Sequence, residues 1–555
     1  MRRTRWLVGV VVPLSLALAV SGCGSSDEGG GGGGAGGAAE DTGDPNGAIS
    51  TFGTEPENPL VPGNTNETGG GAIINALFTG LTTYDPVTSE SKMSNAESIE
   101  TKDSKTFTIK LKKGWKFHDG TEVKAKNFVD AWNWTAYSPN GAQTGSFFAN
   151  IQGYEDVHTE DPDGTDGPQK APEPTSKTMS GLKIIDDYTF EATTAEPFSV
   201  FPLTVGYSAF MPLPDAFFKD QKAFEANPIG NGPFKFVSRV PNQNVKLTRF
   251  DEYQGQDKPH FKDLTFTFFE GLEAAYAAVA SNELDFLHTV PPSGIAGGKY
   301  KTDFPDRNGS QPYQGNQTLA FPLYDPKYKN ADLRKAISMA INREEITQKI
   351  FEGTRTPADG WVNPAVPGYV KGQCGEFCTY NPTKAKEYLA KSGYTGGIEI
   401  TSNTDGGHKE WITATCNSIK NAIGLECTFV PVQKFSEIRQ KANARQMTQI
   451  YRAGWLADYP SIENWLNPLL RTGGSSNDGE YSNKEVDAKL AQADAATSIE
   501  EANKLYQEAE RLVAQDMPTI PLWNQTSQFV WSDRVDKVRL TGLRELDLSS
   551  VIVKK

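Results

Sequence analysis

Residues 106–121 read TFTIKLKKGWKFHDGT, and the reading of the chain works outward from them. Thr106 to Leu111 alternate polar and apolar side chains, the period of a strand with one buried face. Lys124 to Trp134 then follow helical spacing, with Phe128, Ala131 and Trp132 on one face. Strand-like and helix-like segments go on alternating along the chain, which predicts a mixed α/β body.

Glu160 to Pro174 is rich in Asp, Gly and Pro and reads as a loop. Asp161, Asp163 and Asp166 resemble the start of a calcium loop, but Pro172 stands where that motif needs a bidentate Glu, so the motif is rejected. The later half carries clearer helices. Leu333, Ile337, Ala340 and Ile341 recur at helical spacing, and Asn342 caps a second helix with Glu345 three residues on. Asn381-Pro382 opens another, with Ala385, Tyr388 and Leu389 inward and Gly393 as its stop. Ile412, Cys416, Ile419 and Ile423 form a further face. Ser498 and Glu501 precede Leu505, Ala509 and Leu512 as a capping box. No internal repeat is present.

The N-terminal segment sets an expectation about compartment. Arg2, Arg3 and Arg5 precede an apolar run from Trp6 to Val20, interrupted by Pro13. That run is short of the roughly 20 residues a spanning helix needs and fits an export signal. Val20-Ser21-Gly22-Cys23 resembles the bacterial lipobox, which implies cleavage after residue 22, diacylation of Cys23 and a place on the outer face of the cell membrane. Arg2-Arg3 also leaves twin-arginine export open. Residues 23–47 include an unbroken glycine run, Gly29 to Gly34, and are expected to form a disordered tether reaching roughly 25–30 Å.

Roughly 500 residues remain, enough for two or more lobes, because single cores stop growing near about 250–300 residues. The net charge of −14 becomes −17 once Arg2, Arg3 and Arg5 are removed, which argues against nucleic acid as a partner. Besides Cys23 there are Cys374, Cys378, Cys416 and Cys427. Four cysteines allow three pairings, of which the local closures Cys374–Cys378 and Cys416–Cys427 are favoured; the second would pin a helix to the strand after it. A zinc site would need a second close pair or a nearby His, and neither follows Cys374-x-x-x-Cys378.

No catalytic constellation emerges. There is no Gly-x-Ser-x-Gly elbow, phosphate loop or His-Glu-x-x-His. Ser180 with Lys183 and Ser89 with Lys92 match Ser-x-x-Lys, but no Lys-Thr-Gly accompanies them. His118, His158, His260, His288 and His408 lack metal-ligand spacing. The expectation is a protein without enzymatic activity, metal or cofactor.

Several segments in order resemble the family-5 extracellular solute-binding proteins, the oligopeptide- and dipeptide-binding subunits of ABC importers. They are Gly53-Thr54-Glu55-Pro56 with Leu60; Ala76 to Leu81 with Tyr84-Asp85-Pro86; Lys110 to Thr121 with Asn127-Phe128; and Pro228 to Phe234. In the second half they are Asp332 to Ile337 with Ile341-Asn342-Arg343; Gly454-Trp455-Leu456-Ala457-Asp458-Tyr459-Pro460; and Tyr481-Ser482-Asn483. The resemblance covers roughly residues 48–545.

It implies a two-lobed periplasmic-binding-protein-like α/β fold (type II, cluster C) with an extra small domain and a two-strand hinge. The first lobe is expected over 48–317, with the small domain at about 71–199, the second lobe over 318–524, and a return to the first over 525–555. It implies a monomer that holds a peptide between the lobes and delivers it to a permease and its ATPases. Asp458 would receive the ligand's α-ammonium. Gly53, Thr54 and Glu55 would flank the peptide backbone on one side and Ala453, Gly454, Trp455 and Leu456 on the other. Arg452 would lie near the ligand carboxylate, with Arg445 a candidate second cation, and Tyr137 and Phe147 near the pocket-forming part of the small domain. The family's Phe-Asn after the hinge is Phe321-Pro322 here, which removes a main-chain donor. Two alternatives stay open: another small solute (a dipeptide, nickel chelate, sugar or opine), and a peptide-sensing lipoprotein.

Overall fold

The computed structural model describes residues 43–555 except 66, 160–169, 405–406 and 434. The signal segment, Cys23 and the aspartates of the rejected calcium loop lie outside the described residues. The elements that place the site are, in chain order, strand β1 (Ala48–Gly53), helices α1 (Thr68–Leu77) and α2 (Ala125–Ala136), strands β2 (Asn308–Ala320) and β3 (Ile450–Ala453), helix α3 (Glu463–Leu470) and strand β4 (Thr519–Trp531).

One mixed sheet of eleven strands runs through both lobes. At one end Phe234–Val240, Asn244–Arg249, Asp263–Phe268 and β1 pair in turn; at the other, β3, Ile398–Asn403 and Cys427–Val432. The two halves meet through β2 and β4, each of 13 residues, paired antiparallel from Asn308 opposite Val530 to Ala320 opposite Thr519. One end of β4 continues into the first lobe through Leu287 opposite Val530, and the far end of β2 into the second through Thr318 opposite Ala453. The ladder breaks between Pro312 and Asn316, where proline supplies no amide hydrogen. In that gap the Gln314 amide donates to Gly542 O (2.8 Å) and the Asn316 amide to Trp455 O (3.0 Å). The midpoint of β2 therefore holds the segment that follows β3 and the C-terminal return together.

The opening stretch folds as its pattern predicts. Thr106–Leu111 is the second strand of a four-stranded antiparallel sheet, and its Phe107, Ile109 and Leu111 are buried. Helix α2 covers that sheet, with Trp132 edge-on to Phe190 (5.5 Å) and its indole donating to Phe210 O (2.9 Å). This small domain also touches the second lobe. Ser199 N donates to Asp494 O (2.7 Å), and the Ser104 hydroxyl to Ala496 O (2.7 Å).

Blocks distant in sequence interlock in the first lobe. His118 N donates to Gly230 O (2.8 Å), and Gly230 N donates back to His118 Nδ1 (3.1 Å). An accepting Nδ1 leaves the proton on Nε2, which reaches Gly232 O at 3.1 Å. Burial pushes this imidazole down to about 4, so it stays neutral. Asn231 bridges both ways to the Thr79 backbone, at 2.9 Å each. In the second lobe Arg343 is buried and donates to Pro521 O (2.7 Å), Ser338 O (3.0 Å) and Cys378 O (3.1 Å), so it is scaffold.

The caps form at Asn342, Asn381 and Ser498, with Gly393 in the left-handed conformation that ends its helix. Glu501 reaches back to Thr497 N (3.1 Å), one residue before the cap. Both local disulfides form, Cys374–Cys378 and Cys416–Cys427. One boundary moves. Residues 43–47, assigned above to the tether, are packed: Gly43 and Gly47 are buried, and Asp44 N donates to Val553 O (2.7 Å). Backbone contact with the C-terminus orders these residues, which glycine content alone does not reveal.

A β-carbon on Gly230 would lie 1.9 Å from Leu77 O. Gly230→Ala should lower unfolding free energy by about 3 kcal/mol in urea denaturation, because backbone rather than a flexible side chain must yield.

Candidate functional site

A cavity of about 550 Å³ lies where the lobes face each other. The first lobe supplies the end of β1 (Phe52, Gly53, Thr54), the Ala72 and Asn75 face of α1, Tyr84, Tyr207 and His288; the second supplies Leu456, Ala457, Asp458 and Pro460. The return segment, from Thr541 to Ser549, closes the remaining wall.

The segment after β3 is positioned by backbone pairing and one side chain. Gly315 bridges Leu456, and Ala457 N donates to Gln314 O (3.0 Å), so the segment lies along the break in β2. Asn464, in the first turn of α3, then clamps it. Its Oδ1 accepts from the Asp458 amide and from the Trp455 indole, and its Nδ2 donates to Asp458 Oδ2, each at 3.0 Å. A planar amide satisfied on both ends fixes the rotamer of Asp458.

Asp458 is half-buried on the cavity wall. Burial pushes its carboxyl up to about 6, opposed by the Asn464 hydrogen bond. No cation lies within ion-pair distance of it among the described residues. Nearby Tyr84 is half-buried and donates to Leu203 O at 2.7 Å, so its hydroxyl is engaged away from the carboxylate. His288 is held neutral, pushed down to about 3 by burial and by the Arg544 guanidinium. The cavity lining also carries Glu67, Asp85, Asp257, Arg544, Glu545 and Asp547, and within it Asp458 is an under-compensated carboxylate. Such a site can bind a cation. Among the described residues no group of three His, Cys, Asp or Glu side chains could hold a metal ion.

The residues singled out from sequence divide. Gly53, Thr54, Leu456 and Asp458 line this cavity. Glu55 does not: Arg239 pairs with it, and the Asn242 amide donates to its other oxygen at 2.8 Å. Ala453, Gly454 and Trp455 line a separate cavity of about 60 Å³, with Asn316 and Trp361. Arg452 is half-buried on β3 within electrostatic reach of Tyr313, away from the larger cavity's lining. Arg445 pairs with Glu480 at 3.0 Å. Phe147 stands behind the wall, its ring 4.6 Å from that of Tyr207, and Tyr137 terminates α2. Pro322 accepts from the Asp325 amide (3.0 Å) in a turn, a role that needs no proline amide hydrogen.

Sequence reading missed Asn464 and the place of the return segment on the cavity wall. In the latter, Thr541 N donates to Glu545 O (2.7 Å) and Arg544 N to Thr541 O (3.0 Å), closing a tight turn. Arg544 takes a left-handed conformation there, φ 70°, uncommon for a residue with a β-carbon. Its guanidinium donates to Thr289 Oγ1 and lies over the Tyr313 ring, 5.3 Å from the centroid. Glu545 lines the cavity and accepts from Asn75 Nδ2 at 2.7 Å. The one available signal was a pair of opposite charges in the C-terminal segment, and such pairs are abundant on solvated surfaces.

The profile of the bacterial extracellular solute-binding proteins, family 5 Middle, matches residues 92–477. The oligopeptide-binding protein OppA of Bacillus subtilis strain 168 is 25% identical over 513 residues, covering 89% of this chain and 90% of its own. The periplasmic oligopeptide-binding protein OppA of Escherichia coli K12 is 27% identical over 464 residues, covering 81% and 82%. A crystal structure of Haemophilus influenzae OppA in complex with RPPGFSPFR superposes with a TM-score of 0.72 at 23% identity, covering 92% of this chain and 100% of that one, a likeness of fold.

Because Asn464 supplies the hydrogen bond that opposes desolvation at Asp458, Asn464→Ala should move that carboxyl further above about 6. Carbon-13 carboxyl titration by NMR, with the resonance assigned by its loss in Asp458→Asn, measures this.

Proposed function

The chain belongs to the bacterial extracellular solute-binding proteins of family 5, and on that footing we propose that it captures peptides between its lobes and hands them to the permease and ATPases of an ABC importer. The observation that carries the reading is Asp458: a carboxylate on the cavity wall, shifted by burial, oriented by Asn464, and without a cationic partner. A peptide brings one positive charge whatever its sequence, the α-ammonium. Placed against Asp458 it forms a charge-assisted hydrogen bond and offsets a desolvation already incurred in the folded protein.

The relatives named oligopeptide-binding proteins support a peptide over the other solutes. Strand β1 ends at the cavity with Gly53 and Thr54, and Leu456 faces it from the second lobe. An extended ligand between these edges would pair through its main chain, which gives affinity without demanding a particular sequence. The β2–β4 ladder, broken at its midpoint, is the hinge on which the lobes close. The domain boundaries inferred at 317/318 and 524/525 fall within these two strands.

The protein acts by binding and delivery and carries out no covalent step. It works as a monomer held at the outer face of the membrane by lipid on Cys23. The glycine-rich residues that follow form the tether, which ends where residue 43 packs against the C-terminus.

Two outcomes check the reading. In isothermal titration with alanine peptides of two to five residues, at least one should bind, and Asp458→Ala should weaken it by about 30-fold or more, the loss of about 2 kcal/mol expected when one partner of a buried charge pair is removed. Unchanged affinity in that variant would remove the ammonium assignment. The pH dependence has a definite sign. Asp458 must be ionised to hold the ligand and titrates near 6 in the free protein, so affinity should fall as pH drops through about 6. It should fall again above about 8, where the peptide's α-ammonium loses its proton. Titrations between pH 5 and 9 measure both limbs, and a flat profile across pH 6 contradicts the assignment.

A further inference from the structure

The cavity holds a second carboxylate in the same predicament as the first. Glu545 comes from the return segment and lines the same cavity as Asp458. Its Oε1 accepts a single side-chain hydrogen bond, from Asn75 Nδ2. A carboxylate offers about four lone-pair sites, so one neutral amide leaves most of its capacity unused. Among the described residues no ion pair within 4.0 Å involves it. Its neighbour Arg544 does not compensate it. The left-handed turn sends that guanidinium to Thr289 Oγ1 and the face of Tyr313.

Burial raises the Glu545 carboxyl, as at Asp458, and Asn75 plays the part that Asn464 plays there. Neither carboxylate figures among the groups that perturb the other. They stand on separate segments and are held by separate amides, Asn464 and Asn75.

We infer that Glu545 is a second cation receptor of the ligand cavity, which selects peptides carrying a basic side chain in addition to the α-ammonium. This rests on the peptide-binding reading. A half-buried carboxylate with one amide partner and no ion pair is costly to leave ionised, and a lysine or arginine side chain entering beside Asn75 would complete its hydrogen bonds and its charge. Recognition then has two parts. Asp458 takes the charge every peptide has, and Glu545 takes one that only some have.

The test is isothermal titration of the full chain at pH 7.5 and low salt. The ligands are trialanine and tripeptides with one lysine or one arginine at the first, second or third position. At least one basic peptide should bind the wild type about tenfold or more tightly than trialanine, and this ratio should collapse toward one in Glu545→Gln. A thermal melt of the variant shows that it is folded. The inference is overturned if no basic peptide outbinds trialanine, or if the preference survives in folded Glu545→Gln. Failure of every peptide to bind the wild type would instead overturn the peptide reading itself, and the two failures are distinguishable in the same titrations.

Discussion

The pairing of β2 with β4 is the constraint on which the rest of the molecule depends. The large sheet passes from one lobe to the other through this ladder, and the ladder breaks at Pro312 to Asn316. A strand that loses its partner at mid-length must satisfy its amides and carbonyls elsewhere. Gln314 and Asn316 do so on Gly542, Ala457 and Trp455. Those bonds draw the segment carrying Asp458 and the segment carrying Glu545 to the lining of one cavity. A feature that reads locally as a flaw in a sheet thus assembles the site.

On the cavity lining Asp85 and Asp547 are paired with Lys92 and Arg539, whereas Asp458 and Glu545 are held by amides. Asn464 fixes Asp458 and Asn75 engages Glu545, and neither removes the cost of ionisation in a partly dry place. Elsewhere the protein treats buried charge differently. Asp494, behind the site, receives Arg471, Asn467 and Tyr506, and Arg343 is surrounded by carbonyls. These hydrogen-bonded groups support the lobes. Asp458 and Glu545, with one side-chain amide each and no ion pair among the described residues, line the space between the lobes, where a ligand can supply what is missing. The hydrogen bonds from Ser199 and Ser104 to the 494–496 region bring the small domain onto the second lobe, so closure rests on more than the hinge.

Much of this was legible in the sequence. Alternation at Thr106 to Leu111 and the helical face of Phe128 and Trp132 gave the small domain's core, because each side chain's fate there is set by neighbours within one strand or one helix. The caps at Asn342, Asn381 and Ser498 were readable for the same reason. The site was less so. Asp458 was reached through resemblance, while Glu55, placed at the ligand by the same resemblance, is held by Arg239, a partner 184 positions away. Arg452 and Trp455 lie on the right segment but not on the larger cavity's lining; Trp455 lines the smaller cavity, its indole held by Asn464.

The sequence by itself determined the mixed α/β class, the helix ends and the family, and favoured the two local disulfides, all of which depend on short spacings or on blocks kept in order. Only the tertiary structure decided which charges go uncompensated. Asn464 and Asp458 are close in sequence, but Asn75 and Glu545 are separated by 470 positions and meet only because the chain returns to its first lobe at the end. Desolvation is a property of everything packed around a group, and no local pattern encodes it.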